Sequence, residues 1–155
     1  MSAATPPAAE SAIHRLVRAA RRGDARVIAR MPSGWAMFGE RQFLRGYALL
    51  LPDPVVAGIE SLANPERTQF LLDMTELGAA LLVVTGALRI NYAIFGNLEP
   101  ALHAHVVPRY ADEPAALRTA HPWAYDWQAA RLFAPEVDAP LQLALRAELA
   151  RRGAR

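Results

Sequence analysis

The chain has 155 residues, a formal net charge of +2 and no cysteine, and 53% of its residues are hydrophobic. This length suits one domain with a substantial core, and the lack of cysteine excludes disulfides, cysteine nucleophiles and cysteine-based zinc sites. All 17 cationic residues are arginine, but so small a net charge does not favour nucleic acid as a partner.

The sequence shows neither a membrane span nor a secretory signal. Its longest apolar run, residues 77–88, has about a dozen residues, whereas crossing a bilayer takes ~20. Residues 1–10 are rich in Ala and Pro and lack the charged and then apolar pattern of a signal peptide. We expect these ten residues to be disordered, residues 11–155 to form a single domain, and the protein to be cytoplasmic.

The first part of the domain predicts one short helix and three strands. Ser11 can cap a helix that runs to Arg22, because apolar residues recur there at helical spacing. Short strands follow at 26–30 and 35–38, separated by a Met-Pro-Ser-Gly turn. The nearly continuous apolar run at 47–51 is typical of a buried strand.

The clearest element is a long helix from residue 65 to residue 85. Asn64 is a suitable N-cap, Pro65 suits the first helical position, and Gly86 suits the end of the helix. One broad apolar stripe runs along it, which we expect to lie on a sheet: Phe70, Leu71, Met74, Leu77, Gly78, Leu81 and Leu82.

Two further strands complete the predicted sheet. Residues 88–95 form one, Gly96-Asn97 turns the chain, and residues 101–107 run back as the other. After Pro108 come a helical turn, an aromatic loop and an amphipathic helix, at 114–120, 121–127 and 141–152. The predicted class is α+β: an antiparallel sheet of about five strands, with a long helix on one face and a C-terminal helix.

The strand at 101–107 carries the most informative pair of side chains. Alternation places His103 and His105 on one face of that strand, and imidazole suits nucleophilic or acid–base chemistry at neutral pH. The residues alone leave three interpretations: a reactive pair, a buried structural histidine, or two metal ligands. A metal would need a third ligand, which His121 or Asp126 would have to supply by folding back.

This strand resembles the signature of the histidine triad (HIT) superfamily, His-φ-His-φ-His-φ-φ, commonly followed by Pro-Arg. Anchored on Pro108-Arg109, the second and third histidines of that signature match His103 and His105, and the first falls on Ala101. The resemblance covers residues 26–110 and implies a HIT-like fold, so residues 111–155 would be a C-terminal extension.

A second segment is similar to the same family. Residues 45–52, Arg-Gly-Tyr-Ala-Leu-Leu-Leu-Pro, resemble the family's Pro-Gly-His-φ-φ-φ-φ-Pro strand. Tyr47 stands where many members carry histidine, which is a second departure from the family pattern.

The resemblance implies roles for individual residues. The middle histidine is the nucleophile in the family, which implies that role for His103, and His105 would contact phosphate or assist the leaving group. Asn97 matches the polar residue that contacts phosphate, and Arg109 could offset phosphate charge. Glu40 is the nearest candidate for the ribose-binding acid. The early strands would line a base pocket, with Ile28, Trp35 and Phe38 as candidates.

By resemblance, the protein would be a nucleotide hydrolase or nucleotidyl transferase that acts on dinucleoside polyphosphates or nucleoside phosphoramidates through a nucleotidyl-histidine intermediate. The resemblance also implies a homodimer, and neither a cofactor nor a metal. The alternative is a catalytically impaired nucleotide-binding module, because the histidines replaced by Ala101 and Tyr47 could orient His103. We expect the aromatic loop at 121–127 to seal a domain edge or dimer contact rather than to form a lid.

Overall fold

The computed structural model describes residues 10–154, in which five strands form one antiparallel sheet. The strands are β1 (Val27–Met31), β2 (Gly34–Phe38), β3 (Ala48–Pro52), β4 (Arg89–Ala93) and β5 (Ala104–Arg109). Their order across the sheet is β1-β2-β3-β5-β4, so β5 lies between β3 and β4 and β4 is an edge strand. The disorder predicted for residues 1–10 falls outside the described residues except at Glu10.

Two long helices cover one face of this sheet. The helices are α1 (Ala12–Arg21), α2 (Asn64–Thr85), α3 (Ala115–Arg118) and α4 (Pro135–Arg151). α2 and α4 pack on every second side chain of the strands, and the resulting main core includes Phe38, Leu50, Phe70, Leu77 and Leu145, all fully buried. Removal of this apolar area from water, at ~25 cal/mol per Å², is the main stabilisation of the fold. The predicted α+β class is confirmed.

α1 packs on the opposite face of the sheet, so the helices do not all lie on one side. Ile13 and Val17 of α1 form a second apolar cluster with Met37 of β2 and Leu51 of β3. This helix covers only the β2–β3 part of its face. Over β5 and β4 the same face is left to the histidines and to the chain that follows β5.

Most predicted elements are confirmed, with differences at the helix ends. Gly86 ends α2 in the left-handed conformation, with φ of 69°, as predicted. The N-cap of α2 is Ala63 and not Asn64, because the chain is extended only up to Ala63 and Asn64 already belongs to the helix. α4 begins at Pro135 and not at residue 141, because Pro140 removes one hydrogen bond of the helix without ending it.

β5 also differs from the predicted strand, which covered residues 101–107. It begins at Ala104 and continues through Pro108 to Arg109. Pro108 fits there because the pairing of β5 with β3 extends only to Val106, so the missing N–H lies beyond that ladder. His103 therefore lies immediately before β5, and Arg109 lies in the sheet instead of past its end.

Among the described residues, α2 is the one helix long and apolar enough to cross a membrane by length and composition. Seven of its 22 residues are buried, and it packs on β5 and α4. That packing is typical of the core helix of a globular domain.

Candidate active site

A pair of histidines lies on the sheet face that α2 and α4 leave uncovered. His105 pairs with Leu49 of β3 and Ala93 of β4, and His103 is two residues ahead of it. The centroids of the two imidazole rings are 4.9 Å apart, and the rings are inclined by 74°. Both rings line one cavity of about 1170 Å³. The prediction that the two imidazoles share a face is confirmed.

The backbone determines which nitrogen of His103 carries the proton. Its Nδ1 lies 2.8 Å from the carbonyl oxygen of Ala101. A carbonyl oxygen only accepts hydrogen bonds, so we assign the proton to Nδ1 and a free lone pair to Nε2. His103 is 7% exposed, which limits the motion of its ring. In its neutral form, His103 therefore presents an oriented lone pair at Nε2.

Tyr47 determines the corresponding assignment for His105. The hydroxyl oxygen of Tyr47 lies 2.7 Å from Nδ1 of His105, and this is the only hydrogen bond of that hydroxyl within residues 10–154. Tyr47 is buried, so its hydroxyl proton would lack an acceptor unless it points at Nδ1. We therefore assign Tyr47 as donor, Nδ1 of His105 as acceptor, and the ring proton of His105 to Nε2.

Burial keeps His105 neutral. Loss of solvent around the ring, and to a lesser degree the neighbouring His103, lower the pKa of His105 to about 4. Burial also raises the pKa of the Tyr47 hydroxyl, so this group keeps its proton at neutral pH. At pH 7 His105 thus presents an N–H group to the cavity, beside the ring of His103.

Aromatic side chains form the wall of the cavity around His105. The ring of Trp123 lies edge-on to His105 at 5.0 Å and edge-on to Phe95 at 5.0 Å. Both Trp123 and Phe95 are partly exposed, whereas Tyr125 and Trp127 pack on Phe43 outside the cavity. The later residues of the aromatic loop therefore pack on the edge of the domain, as predicted, whereas Trp123 lines the candidate site.

Arg109 holds this loop in place. Its guanidinium makes a buried ion pair with Glu113 at 2.9 Å, and it donates to the side chain of Asn91 and to the carbonyls of Leu117 and Ala120. Its N–H groups are thereby occupied by protein acceptors. The structure supports a positioning role for Arg109 in place of the expected offset of phosphate charge.

The other expected ligand residues have different positions. Asn97 is exposed, lines the histidine cavity, and has no side-chain hydrogen bond within residues 10–154. Glu40 lines a separate cavity of about 530 Å³ that shares no residue with the histidine cavity. The structure therefore brings Asn97 to the histidines and leaves Glu40 apart from them.

The candidate base-pocket residues Ile28 and Phe38 are also absent from the cavity, because both are buried in the main core. Trp35 packs in the cluster under α1, where its indole N–H donates to Asp53 at 2.9 Å.

Glu99 was not among the predicted site residues, although its position explains how the chain that leads to His103 is held. Its carboxylate accepts from the backbone N–H of Ala101 at 3.2 Å and from that of Ala12 at 2.8 Å. These bonds tie the start of α1 to the residue whose carbonyl orients His103. Because both partners are backbone groups, no sequence pattern could reveal this role. Within residues 10–154 no group of three or more His, Cys, Asp or Glu could hold a metal ion.

Comparison with known proteins identifies the fold. No family model matches the chain, and no curated protein matches its sequence. Among solved structures, a histidine triad protein from Marinobacter aquaeolei VT8 matches with a TM-score of 0.69 at 21% identity, over 84% of this chain and 94% of that one. A histidine triad protein from Sinorhizobium meliloti 1021 matches with a TM-score of 0.70 at 20% identity, over 85% and 93%.

A hypothetical histidine triad nucleotide-binding protein from Sulfolobus tokodaii is more distant, with a TM-score of 0.63 at 12% identity over 81% of this chain and 84% of that one. The chain therefore has the fold of the histidine triad proteins, as the resemblance of its His-Ala-His strand implied.

Proposed function

We propose that the protein is a nucleotide hydrolase or nucleotidyl transferase of the histidine triad type, with His103 as its nucleophile. The observation that carries this proposal is the bond between Nδ1 of His103 and the Ala101 carbonyl, which leaves the Nε2 lone pair free at the cavity. The description of the Sulfolobus tokodaii protein as nucleotide-binding supports a nucleotide as ligand.

In the first proposed step, Nε2 of His103 forms a bond to the α-phosphorus of a nucleoside phosphate derivative while the bond to the leaving group breaks. The Nε2–H of His105 donates a hydrogen bond to the leaving atom, oxygen or nitrogen, and a water molecule in the cavity supplies the proton that this atom takes, which leaves a hydroxide. The imidazole of His103 becomes cationic in the nucleotidyl intermediate, and the Ala101 carbonyl, as acceptor of the Nδ1 proton, stabilises that charge.

The second proposed step releases the nucleotide. A second water molecule forms a bond to phosphorus and gives a proton to the hydroxide left by the first step, while the bond from phosphorus to Nε2 of His103 breaks. His103 recovers its lone pair and His105 stays neutral throughout, so the net reaction adds one water across the phosphorus–leaving group bond. An alcohol or phosphate in place of water would make the same site a transferase. The chemistry as written uses no cofactor or metal.

Two observations favour catalysis over the impaired binding module. The Ala101 carbonyl orients His103 through the backbone, so replacement of the first triad histidine does not remove that hydrogen bond. The Tyr47 hydroxyl bonds to His105 at the position where many family members carry histidine. Each departure from the family pattern therefore leaves a group that fixes a tautomer.

We extend the proposal to the remaining parts of the site and to the assembly. Asn97 would contact phosphate from the turn beside the cavity. The protein would be cytoplasmic and homodimeric, with β4 as the contact: it is an edge strand, and its neighbourhood exposes apolar side chains at Leu88, Tyr92 and Ile94. Sedimentation at low protein concentration tests the dimer, and a monomer at micromolar concentration would refute it.

A kinetic assay tests the proposed function. The protein is incubated with a fluorogenic adenosine phosphoramidate and, separately, with a dinucleoside polyphosphate. His103→Ala should lower kcat/KM by more than about 10⁴-fold. His14→Ala, which removes an exposed imidazole on α1, should leave it unchanged. Turnover that survives in His103→Ala would exclude the nucleophile. If the wild type bound AMP at micromolar concentration without turnover, the binding module would replace the enzyme as the explanation.

A further inference from the structure

The histidine cavity continues well beyond the histidines. Its floor follows β4, where the side chains on the histidine face are Ala93 opposite His105, Asn91 opposite Val107, and Arg89 opposite Arg109. With a rise of about 3.4 Å per residue, Arg89 lies about 14 Å along β4 from the His105 row. The cavity thus has space for a group much longer than one phosphate.

The far end of this cavity carries positive charge. Arg89 and Arg118 both line it, both are exposed, and neither forms an ion pair with any described residue. The Arg118 side chain donates one hydrogen bond, to the carbonyl of Ala111 at 3.1 Å, and that of Arg89 donates none within residues 10–154. Both also line an adjoining cavity of about 300 Å³, so they flank the same opening.

No carboxylate among the described lining residues compensates these two charges. Glu99 lies at the other end of the cavity, and its carboxylate already accepts hydrogen bonds from two backbone N–H groups. Glu113 is committed to Arg109, whose guanidinium it neutralises. Two unpaired guanidinium groups at one opening bind phosphate or carboxylate oxygens well, because a guanidinium stays charged and presents paired N–H donors.

The order of side chains along the strand indicates which part of a substrate reaches this end. The nucleophile His103 comes first, the hydrogen-bond donor His105 next, and then Val107 and Arg109. The leaving atom must lie over His105 to accept its hydrogen bond, so the leaving group extends from there toward Arg109 and its neighbour Arg89. The nucleoside that stays on His103 lies on the other side of the phosphorus.

We propose that Arg89 and Arg118 form an anion subsite for the leaving group, so that the preferred substrates carry a phosphate or carboxylate at the far end of that group. This inference rests on the proposed function for its orientation: it takes His103 as nucleophile and His105 as donor. The subsite itself is a property of the two arginines and of the cavity between them and the histidines.

The test compares three adenosine 5′-phosphoramidates with leaving amines of equal length that end in a methyl, a carboxylate or a phosphonate group. The wild type should prefer at least one anionic substrate over the methyl substrate, and the better anion identifies the chemistry. The double variant Arg89→Gln/Arg118→Gln should lower kcat/KM for that anion about 10-fold or more through KM, and should leave the methyl substrate within about twofold.

Arg45→Gln is the matched control, because Arg45 is exposed and lines neither cavity. An equal loss for charged and uncharged substrates in the double variant, or a preference that persists in it, would overturn the subsite.

A binding measurement separates failure of the subsite from failure of the proposed function. If the wild type hydrolyses none of the three substrates, the proposed function fails and inorganic tripolyphosphate becomes the probe. Calorimetric titration should then show binding to the wild type and to Arg45→Gln, weakened about 10-fold or more in the double variant. Equal binding by all three proteins, or no binding to the wild type, would overturn the subsite independently of catalysis.

Discussion

The buried state of His105 predicts a specific loss of stability in mild acid. The imidazole titrates near pH 6.5 in the unfolded chain, and in the folded protein burial lowers its pKa to about 4. Between these two pKa values the unfolded chain binds more protons than the folded protein, so the unfolded population rises as the pH falls. The stabilisation from a neutral His105 is complete above pH 6.5 and is lost as the pH falls toward about 4.

The size of this effect follows from the two pKa values. Between pH 7 and pH 5, the free energy of unfolding should fall by about 2 kcal/mol through His105 alone. The measurement stays above pH 5 because paired carboxyls contribute only at lower pH. Asp53 and Asp138, for example, have pKa values held below 3.8 by Arg21 and Arg131.

The matched variant is His105→Gln, whose side-chain oxygen can still accept from the Tyr47 hydroxyl. Urea unfolding of the wild type and of this variant at pH 7 and pH 5 gives four free energies. The wild type should lose about 2 kcal/mol more than the variant between the two pH values. Equal losses in the two proteins would show that His105 is not buried in its neutral form, and would remove the basis for treating it as an N–H donor.

Three further substitutions test the same arrangement. Tyr47→Phe removes the hydroxyl that fixes the tautomer of His105 while keeping the ring, and should lower kcat about 10- to 100-fold with little change in KM; an unchanged kcat would refute that role. Glu113→Gln leaves Arg109 buried without its partner, and urea unfolding should show a loss of about 3 kcal/mol, whereas a loss below about 1 kcal/mol would contradict the buried ion pair. Gly39→Ala places a Cβ 2.1 Å from the Tyr47 ring, so the free energy of unfolding in urea should fall by about 1–3 kcal/mol. An unchanged free energy of unfolding would mean that Tyr47 packs elsewhere.

The sequence was sufficient for the parts of the fold that depend on local patterns. Most of the predicted stripe, from Phe70 to Leu81, is the buried face of α2, whereas Leu71 and Leu82 at its edges are exposed. Gly86 ends that helix in the conformation for which glycine is favoured. Alternation along the strand placed His103 and His105 together. Each of these features depends on neighbours in the chain or on strict periodicity, which a single sequence contains.

Contacts between distant segments explain what the sequence could not show. Tyr47 and His105 are 58 positions apart, so the residue type alone could only mark Tyr47 as a departure from the family pattern. The sequence could not show the burial of Arg109, because the Glu113 carboxylate and the carbonyls that accept hydrogen bonds from its guanidinium belong to a segment without periodicity. Arg89 is on the histidine face by simple alternation from Ala93, but whether a carboxylate pairs with it depends on the whole surrounding surface, where none of residues 10–154 does so.

The position of Glu40 illustrates a different limit. The residue follows β2 directly, and a shift of one or two residues decides which face such a side chain joins. In the structure Glu40 lines the cavity under α1, which Gly39 and Tyr47 also line, and it does not line the histidine cavity. Alignment to a family pattern by spacing alone could not resolve that difference.

The central claim is that His103 becomes covalently attached to the nucleotide, and it can be measured directly. Wild-type protein is mixed with an adenosine phosphoramidate, quenched within the first turnover under alkaline conditions that preserve phosphohistidine, digested and examined by mass spectrometry. The account predicts one adenylyl group on the peptide that contains His103, located on that residue by fragmentation and absent from His103→Ala. Adenylylation of any other residue, or turnover in His103→Ala at the wild-type rate, would contradict it.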